Sequence, residues 1–243
     1  MSKVACVTGA DRGLGHALTV EMLQRGYTVY AGQYMPQWEA LGKLSDEWPS
    51  RIRIVRLDIS SEESVREAAG RIASEAGRLD ILINNAGIIA ESDKTSSVFG
   101  EIDYGQIQRM YAVNALGPLR MVQALSGLLM NGETKLVVNI SSEAGQVGQA
   151  WREGWYGYCM SKSALNVQSN ILHNELRRRG GKVLVVHPGW MKTYMGGELS
   201  EEGDLTAEEA ASQIAAVIHR HSEDGTERAH PLFVDYKGEE MAW

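Results

Sequence analysis

The chain has 243 residues, 44% of them hydrophobic and 23% charged, which suits one α/β domain with a substantial core. Its 24 basic and 31 acidic residues leave a net charge of −7, which argues against nucleic acid or an anionic membrane surface as main partner. No apolar run approaches the ~20 residues that span a bilayer. The opening MSKVACVTGA runs into a strand pattern rather than a secretion signal. The two cysteines, Cys6 and Cys159, form neither a disulfide framework nor a metal motif, so a reduced, cytoplasmic protein without a metal is expected.

Lys3 to Thr8 reads as a short strand, followed by Gly9-Ala10-Asp11-Arg12-Gly13-Leu14-Gly15 and a helical pattern to Gln24. Strand, glycine turn and helix together make a phosphate cradle: the glycines let backbone approach a pyrophosphate, and the helix start offers free N–H groups. A second strand, Thr28 to Gly32, ends at Gln33-Tyr34, with no carboxylate to take a ribose 2′-hydroxyl. Arg12 either reaches a 2′-phosphate from the glycine turn, favouring NADP(H) over NAD(H), or is a solvated turn residue.

Met35 to Trp48 reads as an irregular helix, and Ile52 to Asp58 as a strand ending in a carboxylate. Ser60 with Glu63 resembles a capping box opening a helix to about Ala76. Leu79 to Ile83 is a continuous apolar run, as in a buried parallel strand, and ends in Asn84-Asn85-Ala86-Gly87. Tyr104 to Leu129 reads as one long helix with Asn114, a poor helix former, inside it. By itself that asparagine reads as solvated. Lys135 to Ile140 is the next strand, closed by Ser141-Ser142, and a helix from Tyr158 to about Arg179 follows. A strand from Lys182 to His187, a helix from Ala207 to His219 and a strand near Leu232 to Val234 complete the chain. The alternation predicts a single domain over 1–243: a doubly wound parallel sheet of about seven strands flanked by helices.

Tyr158 and Lys162 are four residues apart, neighbours on one helix face. A nearby ammonium is expected to lower the phenol's pKa from about 10, so that it exchanges a proton with an alkoxide or alcohol. Tyr156 competes with Tyr158, but four residues after it stands uncharged Met160. Ser141 competes with Ser142; neighbours on a strand face opposite ways, so one of them serves the site.

Taken together, these residues resemble the short-chain dehydrogenases/reductases over nearly the whole chain. Thr8 to Gly15 matches that family's TGxxxGxG turn, and Asp58, with Ile59 after it, matches its adenine-contacting aspartate. Asn84-Asn85-Ala86-Gly87 matches its NNAG, Asn114 its helix asparagine, Ser142 its serine, and Tyr158 with Lys162 its YxxxK. Pro188-Gly189, then Trp190, Met191 and Thr193, matches its PG segment. Within the family, His187 to Thr193 and Phe233 to Glu240 look like the C-factor and sniffer-type carbonyl-reductase branch.

The resemblance implies a Rossmann-fold oxidoreductase moving a hydride between NADP(H) and a small carbonyl or secondary alcohol. Tyr158 is implied as general acid or base, Lys162 as its tuner and a ribose ligand, Ser142 as the substrate-oxygen ligand and Asn114 as holder of a relay water. Thr8, Gly9, Asp11, Arg12, Gly13, Leu14, Gly15, Gln33, Asp58, Ile59, Asn85, Ala86, Gly87, Pro188, Gly189, Trp190, Met191 and Thr193 join Tyr158 and Lys162 in the implied cofactor site. Trp151, Trp155, Tyr194 and Met195 are candidates to line the substrate pocket with Ser142, or the tryptophans cap core or oligomer surface. Ser142 precedes Tyr158 by a gap longer than most relatives show, the extra residues lying around 149–155. There Arg152 and Glu153 either select a polar substrate or face solvent. The family also implies a homodimer or homotetramer through the Tyr104–Leu129 and Tyr158–Arg179 helices. The alternative is an NADP(H)-sensing or signalling protein with little or no turnover.

Overall fold

In the computed structural model, which describes residues 2–149, 151–195 and 199–243, seven strands form one parallel sheet in the order β3-β2-β1-β4-β5-β6-β7. They are β1 (Val4–Val7), β2 (Thr28–Gln33), β3 (Ile52–Arg56), β4 (Ile81–Asn84), β5 (Leu136–Ile140), β6 (Lys182–His187) and β7 (Leu232–Asp235). Helices α1 (Gly13–Gln24), α2 (Ala40–Glu47), α3 (Glu62–Glu75), α4 (Glu91–Lys94), α5 (Tyr104–Tyr111), α6 (Gly117–Asn131), α7 (Tyr156–Leu176) and α8 (Ala207–Glu223) connect them.

Strands apolar on both faces need cover on both, and side-chain alternation supplies two cores. Ala5, Val7, Val29, Ile83, Val138 and Val186 pack with α1 and α8 residues such as Leu18 and Ile214. Val4, Cys6, Tyr30, Leu82, Val137 and Val185 pack on the other face with Ile72 of α3, Leu125 of α6 and Leu172 of α7. This is the doubly wound Rossmann arrangement the alternation predicts. Among the described residues no helix is long and apolar enough to cross a membrane.

Three local expectations change. The predicted helix over Tyr104–Leu129 is two α-helices joined by a π-helical turn at Ala112–Leu116, and Asn114 within it is buried rather than solvated. A π turn adds a residue to the ring, which the 3.6-residue pattern does not register. The cap of α3 is Ser61, whose side chain accepts from Ser64 N, rather than Ser60 with Glu63. Ser60 is held elsewhere: its N–H and hydroxyl both donate to Asp58 Oδ1, at 2.8 and 2.6 Å. Finally, Met35–Glu39 is not helical, and α2 begins only at Ala40.

Candidate active site

The glycine turn joins the carboxyl end of β1 to α1. Buried Thr8 accepts the N–H groups of Asn85 and Ala86 on Oγ1, each at 3.0 Å, tying β1 to the end of β4. Asn85 donates its amide to the Thr8 and Gly9 carbonyls, at 3.0 and 3.2 Å. Gly9 has φ +63°, and a Cβ on Gly15 would lie 2.0 Å from the Gly9 carbonyl oxygen, so only glycine lets α1 start this close to the strand. Arg12 occupies the N-cap in extended geometry without a side-chain cap, and the first turn carries no acid. The leading N–H groups of α1 therefore lack a side-chain partner, which fits a pyrophosphate.

At the neighbouring strand end, Asp11 accepts the Tyr34 and Met35 N–H groups and so holds the loop after β2. Burial pushes its carboxyl upward against those bonds. Arg12 donates to Met35 Sδ and to the Tyr194 carbonyl, and its guanidinium lies 5.0 Å from the Trp38 ring and 5.9 Å from the Tyr194 ring. Gln33, Asp58 and Arg56 line a cavity of about 520 Å³ at the carboxyl ends of β2 and β3. Arg56 stands opposite Gln33 in the β2–β3 register, a second cation that the sequence reading missed. Only strand pairing brings it there. Ile59, in contrast, is buried against Gly117 at the start of α6.

The reactive group gathers at the ends of β4, β5 and α7. Tyr158, Lys162, Ser142 and Asn114 are all buried. Lys162 Nζ donates to the Ile140 carbonyl at 2.9 Å and lies 5.7 Å from the Tyr158 ring centre. Asn114 donates to the Ile88 carbonyl and Ser161 Oγ and accepts Ile88 N–H, which locks the segment after Gly87 onto α7. A Cβ on Gly87 would sit 3.5 Å from Asn114 Oδ1 and 3.7 Å from Lys162 Nζ, so both polar atoms face one point. Ser141 Oγ donates to Asn166 at 2.6 Å and is used up in the core, whereas Ser142 stands at the turn facing the phenol.

The electrostatics reverse one expectation. Burial raises the Tyr158 pKa to about 12; the Ser142 side chain pulls it down, Glu143 and Cys159 push it up, and Arg152 pulls it down. Burial lowers Lys162 to about 8. Desolvation outweighs the pull expected from the lysine, because both groups are removed from water together. The phenol therefore keeps its proton near neutrality, the form a proton donor needs.

Asp93 was not legible from the sequence. Trp155 precedes α7 with a left-handed backbone, φ +58°, and offers no side-chain cap. Asp93, buried on α4, supplies one from a distance: its two carboxylate oxygens accept Gly157 N–H and Tyr158 N–H, each at 2.9 Å.

Of the candidate pocket residues, Trp155 meets Tyr158 edge to face at 5.9 Å, and Met195 packs beside them. Tyr194 instead joins Trp38 and Arg12 near the glycine turn. Trp151 is exposed and stacks on Arg152, and Ala150, inside the predicted insertion, lies outside the described residues. After β6, the Pro188–Thr193 segment turns at Gly189; Thr193 Oγ1 accepts Met195 N–H at 3.2 Å. Trp190 lines a separate cavity of about 350 Å³ with Glu143, His187 and Tyr236, while Met191 pairs with Leu205.

The short chain dehydrogenase family model matches residues 3–204. C-signal of Myxococcus xanthus is 34% identical over 69% of this chain and 94% of its own length. A short-chain dehydrogenase/reductase of Burkholderia multivorans, solved with bound NADP, superposes with TM-score 0.86 at 30% identity, covering all of both chains. The carbonyl reductase Sniffer of D. melanogaster does so with TM-score 0.86 at 27% identity, again over both whole chains. Glycine turn, tyrosine–lysine helix, family model and whole-chain likeness agree: this chain belongs to the short-chain dehydrogenase family of nicotinamide-dependent oxidoreductases, in its carbonyl-reductase-like branch.

Proposed function

We propose that the protein is an NADPH-dependent carbonyl reductase acting on small aldehydes or ketones. The observation that carries this is a buried, proton-bearing phenol facing Ser142, with a buried ammonium one helical turn behind it. The cofactor supplies the hydride. Thr8, Gly9, Gly13, Leu14, Gly15 and the start of α1 hold its pyrophosphate, and Asp58, Asn85, Ala86, Gly87, Pro188, Gly189 and Thr193 border it. Ser142 steadies the substrate oxygen, and Tyr158 passes its proton to that oxygen. Lys162 would hold the nicotinamide ribose and return a replacement proton to Tyr158 from the relay water held at Asn114. General acid catalysis of this kind is worth roughly 10²–10⁴-fold.

The NADP preference rests on Arg12 and Arg56 near a β2 end that lacks a carboxylate. The cytoplasmic expectation rests on two unpaired cysteines, Cys6 and Cys159. Likeness to C-signal keeps a signalling role in view, but the complete tyrosine, lysine, serine and asparagine set favours turnover. Initial rates with NADPH and with NADH over a small aldehyde and ketone panel test this. Clear turnover that is faster with NADPH is expected; equal rates would remove the cofactor preference, and no turnover the reaction.

A further inference from the structure

Between Ser142 and Tyr158 the chain carries an ion pair that hydride and proton transfer leave unused. Glu143 follows Ser142 directly. Arg152 forks onto it, Nη1 donating to Oε2 at 2.9 Å and Nη2 donating to Oε1. The Arg152 side chain is only 15% exposed, its guanidinium lying 4.5 Å from the Trp151 ring centre and 5.2 Å from that of Trp155. Trp155 in turn contacts the Tyr158 ring. Glu143 N–H also donates to His187 Nδ1 at 3.3 Å, which fixes the carboxylate's backbone to the end of β6. Through Trp155, and through Ser142 next to Glu143 in the chain, the pair thus adjoins the Tyr158 phenol.

We propose that the Glu143–Arg152 pair determines substrate specificity: it presents an internally neutralised wall that admits uncharged carbonyl compounds and rejects those bearing a carboxylate. This rests on the carbonyl-reductase function and names its substrate class. The guanidinium fork that would grip a substrate carboxylate is already filled by Glu143. A carboxylate entering here either displaces Glu143 from its half-buried guanidinium partner or lies beside it as a like charge. The adjoining cavity offers no relief, since Glu143, Asp204, Asp235, Glu239 and Glu240 line it with no lysine or arginine.

The same two charges act on the phenol in opposite senses, Glu143 raising its pKa and Arg152 lowering it. The other charged or titratable groups around Tyr158 are Cys159 and Lys162 on its own helix, His187 at the end of β6 and Asp93 under the helix start. Glu143 raises and Arg152 lowers the pKa of Cys159 and of His187 as well, so both groups shift in the same sense as the phenol when the pair is altered.

The test compares kcat/KM for NADPH-dependent reduction of benzaldehyde and of 4-carboxybenzaldehyde by wild type, Glu143→Gln, Arg152→Gln and the double variant, with NADPH titrations confirming that each folds. The ratio of carboxylate-bearing to neutral substrate should rise about tenfold in Glu143→Gln, fall several-fold in Arg152→Gln and return to within about threefold of wild type in the double variant. The pH profile should move toward acid in Glu143→Gln and toward alkali in Arg152→Gln. Glu143→Asp and Arg152→Lys keep the charges and should keep the ratio. Ratios that stay put, or move the same way in both single variants while benzaldehyde is reduced, overturn the proposal alone. A wild type that oxidises NADPH with neither aldehyde overturns the carbonyl-reductase function together with it.

Discussion

Lys162 shows how much stability the site gives up for its chemistry. Its ammonium is buried with one protein acceptor among the described residues, the Ile140 carbonyl, and burial drags its pKa down to about 8. The unfolded chain binds that proton more tightly, with a pKa near 10.4, so the penalty is complete below about pH 8 and fades as pH rises toward 10.4. Lys162→Met should therefore be more stable than wild type at pH 7, by on the order of 1–3 kcal/mol. That advantage should shrink between about pH 8 and 10.4 in denaturant melts. Equal stability at pH 7 would mean that the lysine is not strained by burial. Spacing singled out Tyr158 and Lys162 and the family resemblance added Ser142, but the expected direction of the tyrosine's shift was wrong. Spacing reports who is near; burial depends on everything packed around them.

At the scale of the element, α7 is held by a cap it does not own. Asp93 accepts two N–H groups at the start of that helix, one of them from Tyr158 itself. Asp93→Ala removes both bonds and should cost about 2–3 kcal/mol, with kcat falling further than NADPH affinity. Asn retains one carbonyl oxygen and should recover part of the loss. Thermal melts and initial rates on the same samples check this, and an unchanged melting temperature for Asp93→Ala would contradict it. No local pattern could have found this cap, because its donors lie more than 60 positions further along the chain. The same limit hid the π turn around Asn114. In the strands, by contrast, apolar runs such as Ile81–Asn84 and Lys182–His187 were legible within a residue or two, since burial on both faces leaves a continuous signature.

Across the whole molecule, every motif that reads as cofactor chemistry lies at the carboxyl ends of the parallel strands, where open α/β sheets bind ligands. Away from that rim, exposed apolar side chains gather on α5, α6 and α7: Tyr104, Tyr111, Leu119, Met160, Val167 and Ile171. Met160, Val167 and Ile171 fall on one stripe of α7, which suits helix packing between two copies. A homodimer or tetramer through these helices is the expected assembly, and Val167→Glu with Ile171→Glu should lower the mass seen by light scattering. A monomer already in the wild type would contradict it. The proposed reaction requires that the Tyr158 hydroxyl deliver the proton to the carbonyl oxygen. It is tested most directly by measuring NADPH oxidation with a reducible aldehyde alongside NADPH affinity in Tyr158→Phe. Turnover should fall roughly 10²-fold or more with affinity nearly unchanged; a variant that kept wild-type turnover would rule out Tyr158 as the proton donor.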